Sequence, residues 1–107
     1  MSIMEQIDNE VKQNRIMLYM KGTPNAPACG FSGTAVRLLE ACRHPYKTSN
    51  VLENMEVREG VKRYSSWPTI PQLYIDGEFI GGCDDMLEMF RSGALQKKIG
   101  VPEADGE

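Results

Sequence analysis

No stretch of apolar residues approaches the roughly 18 needed to cross a bilayer, so a membrane span is excluded. Basic charge is scarce. Twelve Lys and Arg stand against fifteen Asp and Glu, a net charge of −3 with the single His neutral. With no basic run either, a surface built to grip a phosphate backbone is disfavoured, and no nucleic-acid partner is expected. Cysteine is sparse and odd in number, three in 107 residues, which does not suit the paired framework of a small secreted domain. The first fifteen residues lack the apolar core of a secretory signal, and Glu5, Asp8 and Glu10 do not suit a transit peptide. These absences point to the cytoplasm, where thiols stay reduced unless they do chemistry.

What remains is the composition of one globular domain: 41% hydrophobic and 25% charged residues over 107 positions. No repeat or low-complexity segment divides the chain, and a flexible tail is expected over about 100–107. Ile3, Ile7 and Val11 recur at helical spacing. Ile16 to Met20 is a short continuous apolar run, the pattern of a strand buried on both faces. Lys21 to Ala28, with Gly22, Pro24, Asn25 and Pro27, reads as a loop. A helix follows from Ser32, with Ala35, Val36, Leu38, Leu39 and Cys42 on one side, ending near His44-Pro45. Tyr46 to Val51 is a weaker strand, and Met55 to Tyr64 a helix. Gln72 to Ile80 flanks Asp76-Gly77, a pair that accepts positive φ, and so reads as a β-hairpin. Cys83 opens a further helix, and a short last one begins near Ser92 or Gly93. The order α-β-α-β-α-β-β-α implies an α/β fold with a mixed four-stranded sheet and helices on both faces. That is the thioredoxin-like arrangement.

Chemistry concentrates at Cys29. It follows a Gly/Pro loop and opens a helix, where unpaired amides favour thiolate over thiol, and Lys21 adds positive charge. Three residues on, where a dithiol oxidoreductase carries its resolving cysteine, stands Ser32. A mixed disulfide at Cys29 then needs an external thiol such as glutathione to resolve it. In Trp67-Pro68-Thr69-Ile70-Pro71, Pro71 is a candidate cis residue that turns the Ile70 main chain toward the active cysteine, where it can pair with a peptide-like ligand. Gly81-Gly82-Cys83-Asp84 opens a helix with free N–H groups. Asp84 either accepts from a cationic amine or, with Asp85, only complements the helix dipole. Cys42 falls on an apolar stripe and reads as core. A zinc site from Cys29, Cys42, Cys83 and His44 lacks the short spacing that structural zinc needs.

Lys21-Gly22-Thr23-Pro24, Cys29-Gly30-Phe31-Ser32, Trp67-Pro68-Thr69-Ile70-Pro71-Gln72 and Gly81-Gly82-Cys83-Asp84, in this order and at these intervals, resemble the monothiol glutaredoxins of the CGFS class. The likeness is to the short single-domain bacterial and organellar type, and runs from about Ile3 to Ile99. It implies a [2Fe–2S] cluster held between two protomers, with glutathione as co-ligand, and transfer of that cluster to apoproteins. Carried over by position, Cys29 is the catalytic cysteine and cluster ligand. Lys21 and Arg58 hold the glycine carboxylate of glutathione, Ile70 pairs with its cysteinyl main chain, and Cys83 and Asp84 take the γ-glutamyl end. Phe31 and Trp67 shape the groove. Implied partners are a second copy in a cluster-bound homodimer, BolA-like proteins, an iron–sulfur scaffold and recipient apoproteins. Four thiolates usually hold a [2Fe–2S] centre, and one cysteine plus one glutathione per protomer, doubled by a two-fold axis, supplies four. Asp85 departs from the aliphatic residue common at its position. The rival readings are a glutathione-dependent oxidoreductase that removes glutathione from protein mixed disulfides, and a non-catalytic adaptor.

Overall fold

The structure, a computed structural model, describes residues 2–100. In chain order its elements are α1 (Ile3–Gln13), β1 (Ile16–Met20), β2 (Gly22–Thr23), β3 (Ala26–Pro27), α2 (Gly30–Ala41), β4 (Lys47–Asn50), α3 (Met55–Ser65), β5 (Gln72–Ile75), β6 (Glu78–Gly81), α4 (Cys83–Ser92) and α5 (Ala94–Ile99). Strand β1 is buried throughout and its alternate side chains feed two cores. Ile16, Leu18 and Met20 join α2, α4 and α5 on one face, while Met17 and Tyr19 join α1 and α3 on the other. β4 pairs with β1 in parallel and β5 pairs with it antiparallel, giving the order β4-β1-β5-β6. This is the thioredoxin-like sheet that the element order implies.

Local chemistry sets the element ends. Ser2 caps α1: its Oγ accepts the Glu5 N–H at 3.1 Å while the Glu5 carboxylate accepts the Ser2 N–H at 2.9 Å. Asp76 and Gly77 turn the β5–β6 hairpin with φ of 54° and 80°, as a two-residue turn of positive φ requires. Helix α2 stops at Ala41, short of His44-Pro45, because Arg43 takes a left-handed φ of 56°.

One expectation needs correcting. The segment from Lys21 to Ala28 is not only loop, since Gly22–Thr23 and Ala26–Pro27 pair as a two-residue antiparallel ribbon. The ribbon is tight. Gly22 has φ +91°, and a Cβ there would lie 2.5 Å from both Ala26 O and Ala28 N. Strands this short leave no hydrophobic alternation for a sequence pattern to register.

At the start of β1, Arg15 gathers four segments. Its guanidinium donates to Asp76 Oδ1 (3.0 Å), to the Ile99 carbonyl (2.6 Å) and to the Lys98 carbonyl (3.2 Å), and lies 3.1 Å from His44 Nε2. Its own carbonyl accepts the Asp76 N–H at 2.7 Å. Gly100, where a tail is expected to begin, still caps α5, and 101–107 lie outside the described residues. Among those described, no helix is long and apolar enough to cross a membrane.

Candidate functional site

Cys29 is the N-cap of α2, in extended conformation. Its Sγ accepts the Ser32 N–H at 3.4 Å, and the Ser32 Oγ lies 3.4 Å from the sulfur. Ser32 is fully buried and its Oγ accepts the Lys21 N–H at 3.0 Å. The hydroxyl proton is therefore free to turn toward the sulfur once the thiol ionises. Burial pushes the Cys29 thiol up, but the Ser32 hydroxyl, the Ser32 and Phe31 N–H groups and the Lys21 charge outweigh it. The net result is a thiol below its ordinary range, which is the condition for a nucleophile or a metal ligand. The residue in the resolving position thus acts here as a hydrogen-bond donor.

Beside Cys29 runs a groove of about 400 Å³. Its cations, Lys21, Arg58 and Lys62, come from the end of β1 and from α3, while its acids, Asp84 and Asp85, come from the start of α4. Because α3 and α4 pack on opposite faces of the sheet, the groove is charged with one sign on each side. Its floor is the segment Trp67–Pro71. The Ile70–Pro71 bond is cis, as the position before the hairpin suggested. Neither the N–H nor the carbonyl of Ile70 has a hydrogen-bond partner among the described residues, so its main chain is open to a peptide.

The residues that the resemblance gives to glutathione gather in this place. Lys21, Arg58, Ile70, Cys83 and Asp84 all line the groove, with Phe31 and Trp67. Cys29 borders the groove, close enough to Cys83 for its charge to push that thiol up. Phe31 and Trp67 are large apolar side chains left 64% and 39% exposed. Arg58 offers a specific donor: its Nε is buried with no partner among the described residues, and an orphaned donor of this kind fits a carboxylate. Asp85 does more than add charge, since its carboxylate accepts the Gly82 N–H at 3.1 Å and closes the start of α4. Lys62 was missed. It stands four residues after Arg58 on α3, a spacing that places two side chains on one helix face. Cys42 is core, 1% exposed, and burial pushes its thiol up. Among the described residues, no three His, Cys, Asp or Glu side chains gather to hold a metal ion.

A family model described as Glutaredoxin matches residues 16–80. The chain belongs to the glutaredoxin family. It is similar to the probable monothiol glutaredoxin 2 of Rickettsia conorii, with 50% identity over 93 residues, covering 87% of each chain. The solution structure of reduced poplar apo GrxS14 superposes with a TM-score of 0.79 at 49% identity, over 90% of this chain and 88% of that one. A buckwheat glutaredoxin, solved as a glutathione complex, shares the fold at TM-score 0.81 and 21% identity, over 92% of this chain and 87% of that one. Within the family this glutaredoxin is of the monothiol type, with Ser32 where a dithiol member has its second cysteine.

Proposed function

We propose that this glutaredoxin binds glutathione in the groove and uses it, with Cys29, to hold a [2Fe–2S] cluster shared by two protomers and passed to apoproteins. The observation that carries the reading is the pairing of one acidified thiol with a groove whose Arg58 Nε lacks a partner. A tripeptide with carboxylates at both ends and an amine at one suits a groove with cations on one side and acids on the other. In this reading Lys21 and Arg58 hold the glycine carboxylate, the Ile70 main chain pairs with the cysteinyl residue, and Cys83 and Asp84 receive the γ-glutamyl end.

One protomer then presents two thiolates, its own Cys29 and that of glutathione, and a two-fold pair presents the four that such a cluster usually takes. Partners of this chemistry are a second copy, BolA-like proteins, a scaffold that supplies the cluster and apoproteins that accept it, all in the cytoplasm. The test is anaerobic reconstitution with iron, sulfide and glutathione, reading cluster absorbance against glutathione concentration. Because two glutathiones serve each site, occupancy should rise more steeply than first order. A flat response under conditions that let bound glutathione exchange overturns the shared-site reading.

The acidified Cys29 also favours a second reading, removal of glutathione from protein mixed disulfides. The Cys29 thiolate attacks the glutathione sulfur and the protein thiolate leaves. A second glutathione thiolate then attacks the glutathione sulfur of the Cys29 mixed disulfide, giving oxidised glutathione and free Cys29. Fast turnover of a glutathionylated substrate by the cluster-free protein selects this reading over the first.

A further inference from the structure

Gln72 is a polar side chain with no exposure at all, on the central antiparallel strand opposite Tyr19. Its amide is fully used. Nε2 donates to the Trp67 carbonyl and to the Thr69 carbonyl, each at 3.1 Å, and Oε1 accepts the Tyr74 hydroxyl at 3.0 Å. The reverse orientation would set an amide oxygen against two carbonyls, so the network fixes which way the amide points. Tyr74 is itself held by rings, with Tyr19, Tyr64 and Phe79 packed at centroid distances of 5.9, 5.8 and 5.4 Å.

Packing anchors the side chains of Trp67–Pro71, with Ile70 only 6% exposed in the core beneath α1 and α3 and Trp67 against Phe79 at 5.8 Å, but its main chain has few other hydrogen bonds. Pro68 and Pro71 have no N–H to donate. The Trp67 N–H is tied back to Ser65 Oγ and the Lys62 carbonyl. No other hydrogen bond among the described residues reaches a carbonyl of 67–71. Trp67 and Thr69 line the groove, and Ile70, beside them, carries the open main chain.

We propose that Gln72 is the positioning residue of the groove, its buried amide clamping two floor carbonyls so that the Ile70 main chain is presented at a fixed height to a bound tripeptide. The proposal rests on the glutathione reading for the identity of the ligand. The rigidity of the floor does not depend on it.

The probe is S-methylglutathione, which has no thiol and so separates binding from Cys29 chemistry. Gln72→Met keeps the volume and removes both donors. It should weaken binding about tenfold, the loss of roughly one net hydrogen bond's worth of preorganisation. Gln72→Glu should also weaken binding, because a buried carboxyl is held in its protonated form there and donates to at most one of the two carbonyls. If the Glu variant fails to fold, the Met variant decides alone. Trp67 is the one tryptophan in the chain, so its emission reports the floor directly. In ligand-free Gln72→Met that emission should shift and become easier to quench. The rate of Cys29 alkylation by iodoacetamide should stay within about twofold, since its hydrogen bonds come from α2.

Wild-type affinity together with unchanged Trp67 emission in Gln72→Met overturns the proposal. So does a fall in affinity matched by an equal fall in Cys29 reactivity, which would mean general loosening. If the wild type itself does not bind S-methylglutathione, the glutathione reading fails, while the emission comparison still decides whether Gln72 holds the floor.

Discussion

Cys29 and Cys83 both stand at helix starts, yet the thiol of the first is lowered and that of the second is raised. Neither is deeply buried, and both adjoin the same groove. The difference lies in their immediate partners. Cys29 is the cap of α2, whose first turn has no acidic residue, and it receives hydrogen bonds from Ser32 with Lys21 nearby. Cys83 is the first residue inside α4, whose first turn holds Asp84 and Asp85. Burial, Asp84 and Cys29 push its thiol up, and Arg37 offsets only part of this. A helix dipole alone therefore does not make a thiolate; directed donors and the sign of the neighbouring charge decide.

The largest test of that contrast is Cys29→Ser. It should abolish the fast phase of iodoacetamide alkylation at neutral pH, leaving Cys83 and Cys42 to react at least about tenfold more slowly. It should also abolish cluster assembly at any glutathione concentration. A fast phase that survived would place the reactive thiol elsewhere.

Arg58→Ala should separate the groove from the thiol. Loss of a charge-assisted hydrogen bond should weaken glutathione binding by roughly tenfold to a hundredfold. Excess glutathione should restore the bound state, and Cys29 alkylation in the absence of ligand should not change. Titration calorimetry and the alkylation rate read the two effects independently.

Ser32→Ala should close part of the gap between the two cysteines. Removing a donor to the sulfur disfavours the thiolate, so the Cys29 midpoint moves up and, at a fixed pH below it, the reactive fraction falls. Alkylation at neutral pH should slow by about threefold to tenfold. An unchanged rate would assign the acidity to the helix start and Lys21 instead.

The smallest effect is expected from Asp84→Asn, which removes a charge that pushes the Cys83 thiol up. Cys83 alkylation should accelerate by about twofold, because an exposed carboxylate is screened by water and salt. Mass mapping of the alkylated peptides reads Cys83 separately from Cys29.

The sequence was most legible where chemistry and geometry demand particular residue types. Asp76-Gly77 announced the hairpin because few residues accept the left-handed turn, and Cys29-Gly30-Phe31-Ser32 announced the site because its spacing belongs to redox chemistry. Lys62 was hidden for the opposite reason. A lysine on an amphipathic helix is the commonest of surface residues, and only its offset of four from Arg58 marks it. The β2–β3 ribbon was hidden because two-residue strands have no period. Gln72 could be quoted within its motif, but its task depends on carbonyls three and five residues back, brought over it by the bend of the chain at Trp67–Pro71.

Arg15 has a consequence for motion. One guanidinium bonds to the hairpin turn and to the last carbonyls of α5 and approaches the segment after α2, so these distant parts of the chain share a single latch. Opening of α5 and loosening of the Asp76 turn then belong to one cooperative unit of native-state hydrogen exchange. The residues lining the groove share no hydrogen bond with that latch among the described residues, so the Trp67–Pro71 side of the groove should exchange apart from it, adjusting to a ligand while the far end of the sheet stays shut.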